Sequence, residues 1–368
     1  MGETEVPLLE KGEGQRILIL AGRLGRHDGR WPMASWLDRL ERHGFRLQLL
    51  CLSRGNVLSE DLRVFDLPAL GNRWSRGWAA RLPWSDEGLR RPDLIHSIHD
   101  EMSEPALLIA EASGLPYLQT VADFRTLERG LRLSRRWCRK LVAIRPELAG
   151  GLIEQLRVPE SRVAVIPPGI ALPDEAGRER TEDRLPVIGA SGPLDDPSGL
   201  LVFLEAAHRI LEAGRDAEFV IAGPGAGQME LRRHAHHLGI TERVTVADFP
   251  SVGADYWSVM DIYCQPSVSA HSGMPLMQAM AHAVPCIATV VPGLRGLIEP
   301  GESGLVVPPA NPSALEGAIK ALLDRPDEAS RLGQNARDRV RLLFDPEAET
   351  DRLASLYAET LRPIAATA

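Results

Sequence analysis

Residues 265–309 read QPSVSAHSGMPLMQAMAHAVPCIATVVPGLRGLIEPGESGLVVPP, and this stretch decides the fold. A short apolar strand, Asp261 to Cys264, runs into Gln265-Pro266-Ser267. A loop follows, and Gly273-Met274-Pro275 opens a helix, where proline suits the first turn because its missing N–H had no partner there. Leu276, Met277, Met280 and Ala283 recur at helical spacing. Pro285 then starts a buried strand, CIATV. Backbone amides at such a helix start lie at a strand's carboxyl end, where open α/β sheets take anionic ligands. Spacing alone thus proposes a phosphate or sugar-phosphate site.

Working outward, the same alternation recurs twice. Before the stretch come strand Pro186 to Ala190, helix Pro197 to Gly214, strand Glu218 to Ala222, helix Gln228 to Leu238 and strand Val244 to Ala247. Helices Pro312 to Leu323, Pro326 to Leu343 and Pro346 to Leu361 follow it. The first half opens with strand Arg16 to Ala21, turned by Gly22-Arg23-Leu24-Gly25. A helix Trp31 to His43 and a strand Leu47 to Leu52 continue it. Asp93 to Ile98 is a strand carrying His96, then helix Ser103 to Ser113 and strand Tyr117 to Val121. Arg125 to Lys140 is expected to be one basic helix. Leu141 to Ile144, a helix from Pro146, and Arg162 to Ile166 close the first set. Two doubly wound sheets are therefore expected.

The stretch resembles the signature of family 4 glycosyltransferases, P-S-x-x-E-G-F-G-L-P-L-x-E-A-M-A-x-G-x-P-V-I-A and its glycine-rich continuation. Pro266, Ser267, Gly273, Pro275, Leu276, Ala279, Met280, Ala281, Pro285, Ile287 and Ala288 match, as do Gly293, Gly301, Gly304, Val307, Pro308 and Pro309. The resemblance implies a GT-B fold: two Rossmann-like doubly wound parallel-sheet domains with a cleft between them. It places a disordered tail at 1–15, an acceptor-side domain at 16–168, a linker at 169–185 and a nucleotide-sugar-side domain at 186–345. A last helix, 346–368, crosses back to the first domain.

The chemistry departs from the frame. Ala270 and Gln278 stand at the family's two glutamates, and Ala122 at the histidine of its T-x-H. Pro193 and Ser198 stand where G-R-L-x-x-x-K-G supplies the arginine and lysine that grip a diphosphate. Losing two charge-assisted hydrogen bonds costs about 3–6 kcal/mol of donor affinity. The resemblance implies donor contacts at Gly192, Gly223, Gly273, Met274, Pro275, Leu276, Gln278 and Arg295. The loop Gly22, Arg23, Gly25 and Arg26, with His96, would meet an acceptor or a phosphate. Two readings stand: a relative whose transfer of sugar to a glycan or lipid-linked acceptor is weak or lost, placed first, and an active enzyme whose lost cations are replaced by Arg295 or the Arg23–Arg30 loop. The substrate in either case is a UDP-, GDP- or ADP-sugar, with no cofactor and no metal.

Composition sets bounds. Of 368 residues, 44% are apolar and 25% charged, which is globular. The net charge of −8 argues against a nucleic-acid partner. The charge is split, +3 over residues 1–168 and −11 after them. The four cysteines are widely spaced, so buried thiols in a reducing compartment are expected. The acidic N-terminal residues do not read as a secretory leader, so a cytoplasmic protein is expected. The Trp74–Arg91 segment holds Trp74, Trp78 and Trp84 among arginines, and reads as a core-packing insertion. Its alternative, shared with the Arg125–Lys140 segment, is peripheral contact with an anionic membrane at its inner face. A partner glycosyltransferase is a further candidate contact. His234, His236 and His237 read as a solvated helix face, because their spacing does not converge on one ion.

Overall fold

The computed structural model describes residues 14–24, 33–53, 64–85, 88–174, 184–194, 198–247, 256–269 and 272–362. The chain divides into two compact units, Met1–Gly169 with Pro346–Ala368, and Ile170–Asp345.

In the first unit, β1 (Arg16–Arg23) is buried along its length between two exposed ends, as an interior strand of a parallel sheet must be. It pairs with β2 (Arg46–Ser53) on one side and β4 (Leu94–Ser97) on the other, so that Ile17 lies opposite both Leu47 and Leu94. With β3 (Val64–Asp66), β5 (Tyr117–Val121), β6 (Cys138–Ala143) and β7 (Val163–Val165) the parallel order is β3-β2-β1-β4-β5-β6-β7. The connecting helices are α1 (Met33–Arg42), α2 (Arg76–Ala79), α3 (Ser103–Ser113), α4 (Arg125–Arg129) and α5 (Pro146–Glu154). Trp36, Leu37 and Leu40 share one stripe of α1 and pack on Ile17, Ile19 and Leu49. Leu353, Leu356 and Tyr357 of the last helix, Pro346–Leu361, complete that layer. The Tyr357 ring stands edge-on to Phe45, centroids 5.4 Å apart. Buried Glu349 accepts from the Gly169 N–H at 2.9 Å, pinning the same helix to the end of the first unit's main segment.

The second unit orders its six parallel strands β10-β9-β8-β11-β12-β13. These are β8 (Val187–Ser191), β9 (Glu218–Ala222), β10 (Val244–Ala247), β11 (Ile262–Gln265), β12 (Cys286–Thr289) and β13 (Leu305–Val307). α6 (Leu200–Glu212), α7 (Gln228–His237) and α9 (Pro312–Asp324) supply one core layer, where Phe203 meets Phe219 edge-on at 5.8 Å. α8 (Met274–Ala281) and α10 (Pro326–Leu343) supply the other. All four cysteines are buried thiols outside any disulfide.

Two expectations fail. The basic helix Arg125–Lys140 ends at Arg129, because Gly130 turns left-handed (φ +76°). The chain then enters β6 at Cys138, three residues before the expected strand. Its arginines are spread over a short helix, a loop and a strand, where Lys140 pairs with Glu359 at 3.0 Å. The Trp74–Arg91 segment leaves two of its three tryptophans exposed: Trp74 is 87% and Trp78 78% exposed, while Trp84 is half-buried. Within the expected linker, 169–185, Ile170 is buried and packs with Leu172 in the second unit's core. His234 is half-buried on α7, while His236 and His237 are exposed.

Candidate functional site

Strand order reverses at two places, between β8 and β11 and between β1 and β4. A crevice opens at the carboxyl ends of strands where neighbours diverge, so these two crests are the candidate sites.

At the second unit's crest, β8 ends in Ser191-Gly192 and β11 in Gln265-Pro266-Ser267. A buried polar net joins them. The Tyr263 hydroxyl donates to Gln265 Oε1 at 2.7 Å and takes the Ser191 hydroxyl at 2.7 Å. Gln265 Nε2 donates to the Ser191 carbonyl at 3.3 Å and to Ser267 Oγ at 3.0 Å. Thr289 Oγ1, at the end of β12, donates to the Ser267 carbonyl at 2.6 Å. Burial pushes the Tyr263 phenol well above its ordinary pKa, so it stays a neutral donor. The net fixes three strand ends in one arrangement without placing charge there.

Glycine is required where the loops close on this crest. Gly199 has φ +80°, and a side chain there would collide with the Pro266 carbonyl. Gly223 lies equally close over the Gly192 carbonyl. The Gly192 N–H donates to the Ala222 carbonyl at 3.2 Å, and Leu194 N–H to Pro224 at 2.8 Å. α8 leaves the loop after β11 and returns to parallel β12, so its N-terminus heads the carboxyl edge of the sheet. Gly273 (φ +77°) is its left-handed N-cap and Pro275 stands in the first turn. That turn's amides, Met274 and Leu276 among them, lie beyond the reach of the helix's own carbonyls. Gln278 is half-buried one turn on. The turns at 292–297 pack on Gly273 through Gly293, Leu294 and Leu297, and carry Arg295 exposed on their surface.

Of the positions that depart from the family, Pro193, Ser198 and Gln278 lie around this crest, while Ala122 follows β5 in the first unit. Pro193 is half-exposed. Ser198 is 4% exposed, and its hydroxyl donates to the Pro193 carbonyl at 2.9 Å. Ala270 lies outside the described residues. One group without a signal in the sequence is His282. It closes α8 by donating from Nδ1 to the Gln278 carbonyl at 2.8 Å, and burial lowers its pKa, which keeps it neutral.

At the first unit's crest, Gly22 and Arg23 end β1. Gly22 N–H donates to His99 Nδ1 at 2.9 Å, and Arg23 N–H to Glu101 Oε1 at 2.8 Å. The Asp100 carboxylate accepts from the Ala122 and Asp123 N–H groups, each at 3.1 Å, and from Thr126 Oγ1 at 2.9 Å. Burial raises Asp100 to about 6 against the opposing effect of the Ala122 N–H. Gly25 and Arg26 fall outside the described residues. His96 is not on this crest. It is fully buried, with Nε2 2.8 Å from Thr120 Oγ1 and Nδ1 2.6 Å from the Tyr357 hydroxyl. Its imidazole clamps the last helix to the sheet and cannot meet a soluble ligand. The residues that do occupy the crest, His99-Asp100-Glu101, follow β4 after Ile98. A polar triplet one residue past the carboxyl end of a buried strand was the signal that could have found them.

Residues 33–172 match the family described as Glycosyltransferase Family 4, and residues 174–339 the family Glycosyl transferases group 1. An alpha-D-kanosaminyltransferase of Streptomyces kanamyceticus is 32% identical over 186 residues, 50% of this chain and 48% of that one. The chain thus spans about half the length of that relative. A D-inositol 3-phosphate glycosyltransferase of Corynebacterium glutamicum (strain R) is 26% identical over 73% of this chain and 72% of its own. Among solved structures, sucrose-phosphate synthase of Thermosynechococcus elongatus superposes with a TM-score of 0.73 at 20% identity, over 94% of this chain and 98% of that one. Anabaena HepE in complex with UDP and glucose gives 0.72 at 16%, over 94% and 100%. At such identities the likeness is one of fold.

Proposed function

We propose that this chain, which shares the GT-B fold and matches glycosyltransferase families over residues 33–172 and 174–339, is a glycosyltransferase family 4-like protein whose second unit holds a nucleotide sugar and whose transfer to a glycan or lipid-linked acceptor is weak or lost. One observation carries this reading. Ser198, at the position of the family's diphosphate-binding lysine, is buried with its hydroxyl engaged by the Pro193 carbonyl. Neither residue offers positive charge to a leaving diphosphate, and that charge is a large share of transition-state stabilisation in such chemistry. What remains is neutral: the first-turn amides of α8 toward phosphate, and Gln278 toward a ribose. No metal or other cofactor enters this reading; the nucleotide sugar is substrate. Support for a nucleotide comes from HepE, which holds UDP and glucose on the same fold. Calorimetry with UDP-, GDP- and ADP-sugars, followed by hydrolysis assays on any that bind, tests it. Binding with no turnover is the expected result, and turnover at the pace of an ordinary transferase overturns it.

A second reading rests on Arg295. Its turns pack on Gly273, so a cation is presented close to α8 even though Pro193 and Ser198 supply none. In that case the protein is an active transferase with a rebuilt donor site, and Arg295→Ala abolishes turnover.

The first unit also suits a peripheral contact with an anionic membrane. Arg76 and Arg132 both pair with Glu104, which brings the Trp74–Arg91 and Arg125–Lys140 segments to one place on the surface. Exposed Trp74 and Trp78 stand among those arginines, a combination that seats proteins at lipid headgroups. Among the described residues no helix is long and apolar enough to cross a membrane.

A further inference from the structure

The first unit's crest has already spent its anion-binding groups. The β1/β4 switch point is where a doubly wound sheet presents backbone N–H groups to a ligand. Here the Arg23 N–H is taken by Glu101 Oε1 at 2.8 Å and the Gly22 N–H by His99 Nδ1 at 2.9 Å. Leu24 N–H donates to the Ser53 carbonyl at 2.8 Å. On the β5 side, Asp100 Oδ2 takes the Ala122 and Asp123 N–H groups together. The Glu101 carboxylate lies so close over Gly22 that a Cβ there would overlap it, and Gly22 is the residue that admits it. Gly22 does not have a positive φ, so backbone conformation does not demand glycine at this place. Close approach of the carboxylate does.

We infer that Glu101 is a specificity determinant: it occupies, as a fixed anion, the place a phosphate would take on the β1 loop. The molecule that docks on the first unit is therefore unphosphorylated at this end, a hydroxyl- or amine-bearing carbohydrate. Two physical effects act in the same direction. A phosphate arriving here meets a like charge, and it finds the amides it would use already paired, Arg23 with the Glu101 carboxylate and Gly22 with the His99 imidazole. Sugar hydroxyls and ammonium groups meet the same carboxylate as an acceptor. The inference rests on the proposed function only in treating the first unit as the acceptor side, and its test does not depend on turnover or on donor binding.

The test is a titration of the full chain with inorganic phosphate, read by NMR on selectively 15N-labelled arginine and glycine. The reporters are the Arg23 and Gly22 amides, so phosphate bound at the second unit does not move them. In the native protein these amides show no saturable shift. Glu101→Ala, which removes the carboxylate from an exposed side chain, gains a saturable shift with affinity at least about tenfold tighter. Glu101→Gln, which keeps the bulk and loses the charge, falls between the two. Native amides that shift as readily as those of Glu101→Ala overturn the inference. So does a Glu101→Ala variant whose Arg23 amide ignores phosphate.

Discussion

Restoring the two lost cations is the most direct probe of the second unit. The variant is Pro193→Arg with Ser198→Lys. Two charge-assisted hydrogen bonds to a diphosphate contribute about 3–6 kcal/mol together. Against this, lysine at position 198 must break the 2.9 Å bond from Ser198 Oγ to the Pro193 carbonyl, a loss of about 1 kcal/mol. It must also leave a buried position where a Cβ on Gly192 would stand 3.0 Å from that of Ser198, and ordering its long side chain costs about 1–2 kcal/mol more. A net gain of about 2 kcal/mol is left in the middle of that range, which is roughly thirtyfold. Titration calorimetry with UDP, GDP and ADP should show at least a tenfold tightening for one of them. No gain with any nucleotide would refute the reasoning, because the Gly192 and Gly199 loops would then be serving something other than a diphosphate. Adding Gln278→Glu and Ala270→Glu should matter for a nucleotide sugar more than for the bare nucleotide.

Three further outcomes are expected. Tyr357→Phe keeps the ring against Phe45 but strips His96 Nδ1 of its buried partner; urea unfolding should show a loss of about 1–3 kcal/mol, and an unchanged midpoint would mean the clamp carries no load. Asp100 titrates near 6 when folded and near 4 in an unfolded chain. Its contribution to stability is therefore full below about pH 4 and lost as pH rises through about 6, by up to about 3 kcal/mol; Asp100→Asn should flatten that slope in unfolding curves between pH 4 and 7. Replacing exposed Trp74 and Trp78 with serine should leave the thermal midpoint unmoved yet abolish co-sedimentation with phosphatidylglycerol vesicles; retained sedimentation would dismiss the membrane face.

The frame was readable because parallel strands buried on both faces write themselves as apolar runs, and Tyr117–Val121, Glu218–Ala222 and Val244–Ala247 fall where those runs end. The N-cap at Gly273 was readable for a different reason, since Gly-Met-Pro permits little else. What escaped is long-range or negative information. Arginines at helical spacing hid the start of β6, because a strand with half-buried Arg139 and Lys140 breaks the apolar pattern. His96 read as a ligand because its true partner, Tyr357, lies 261 positions away. Exposure of a tryptophan depends on what packs over it, which no local window states. Glu101 escaped because a carboxylate beside a basic loop looks like ordinary surface charge until its oxygen is placed on an amide.

The first unit is interrupted: residues 170–345 separate its main segment from the helix that covers it. On a ribosome adding about 5–20 residues per second, those 176 residues take about 10–35 s to make. For that interval Ile17, Ile19, Leu49 and the His96 imidazole await Leu353 and Tyr357, while the second unit, being continuous, has everything it needs. Vectorial synthesis thus reverses the order along the chain: the part made later is the first able to finish folding, and the nascent first half presents an uncovered apolar face of the kind that holdase chaperones shelter.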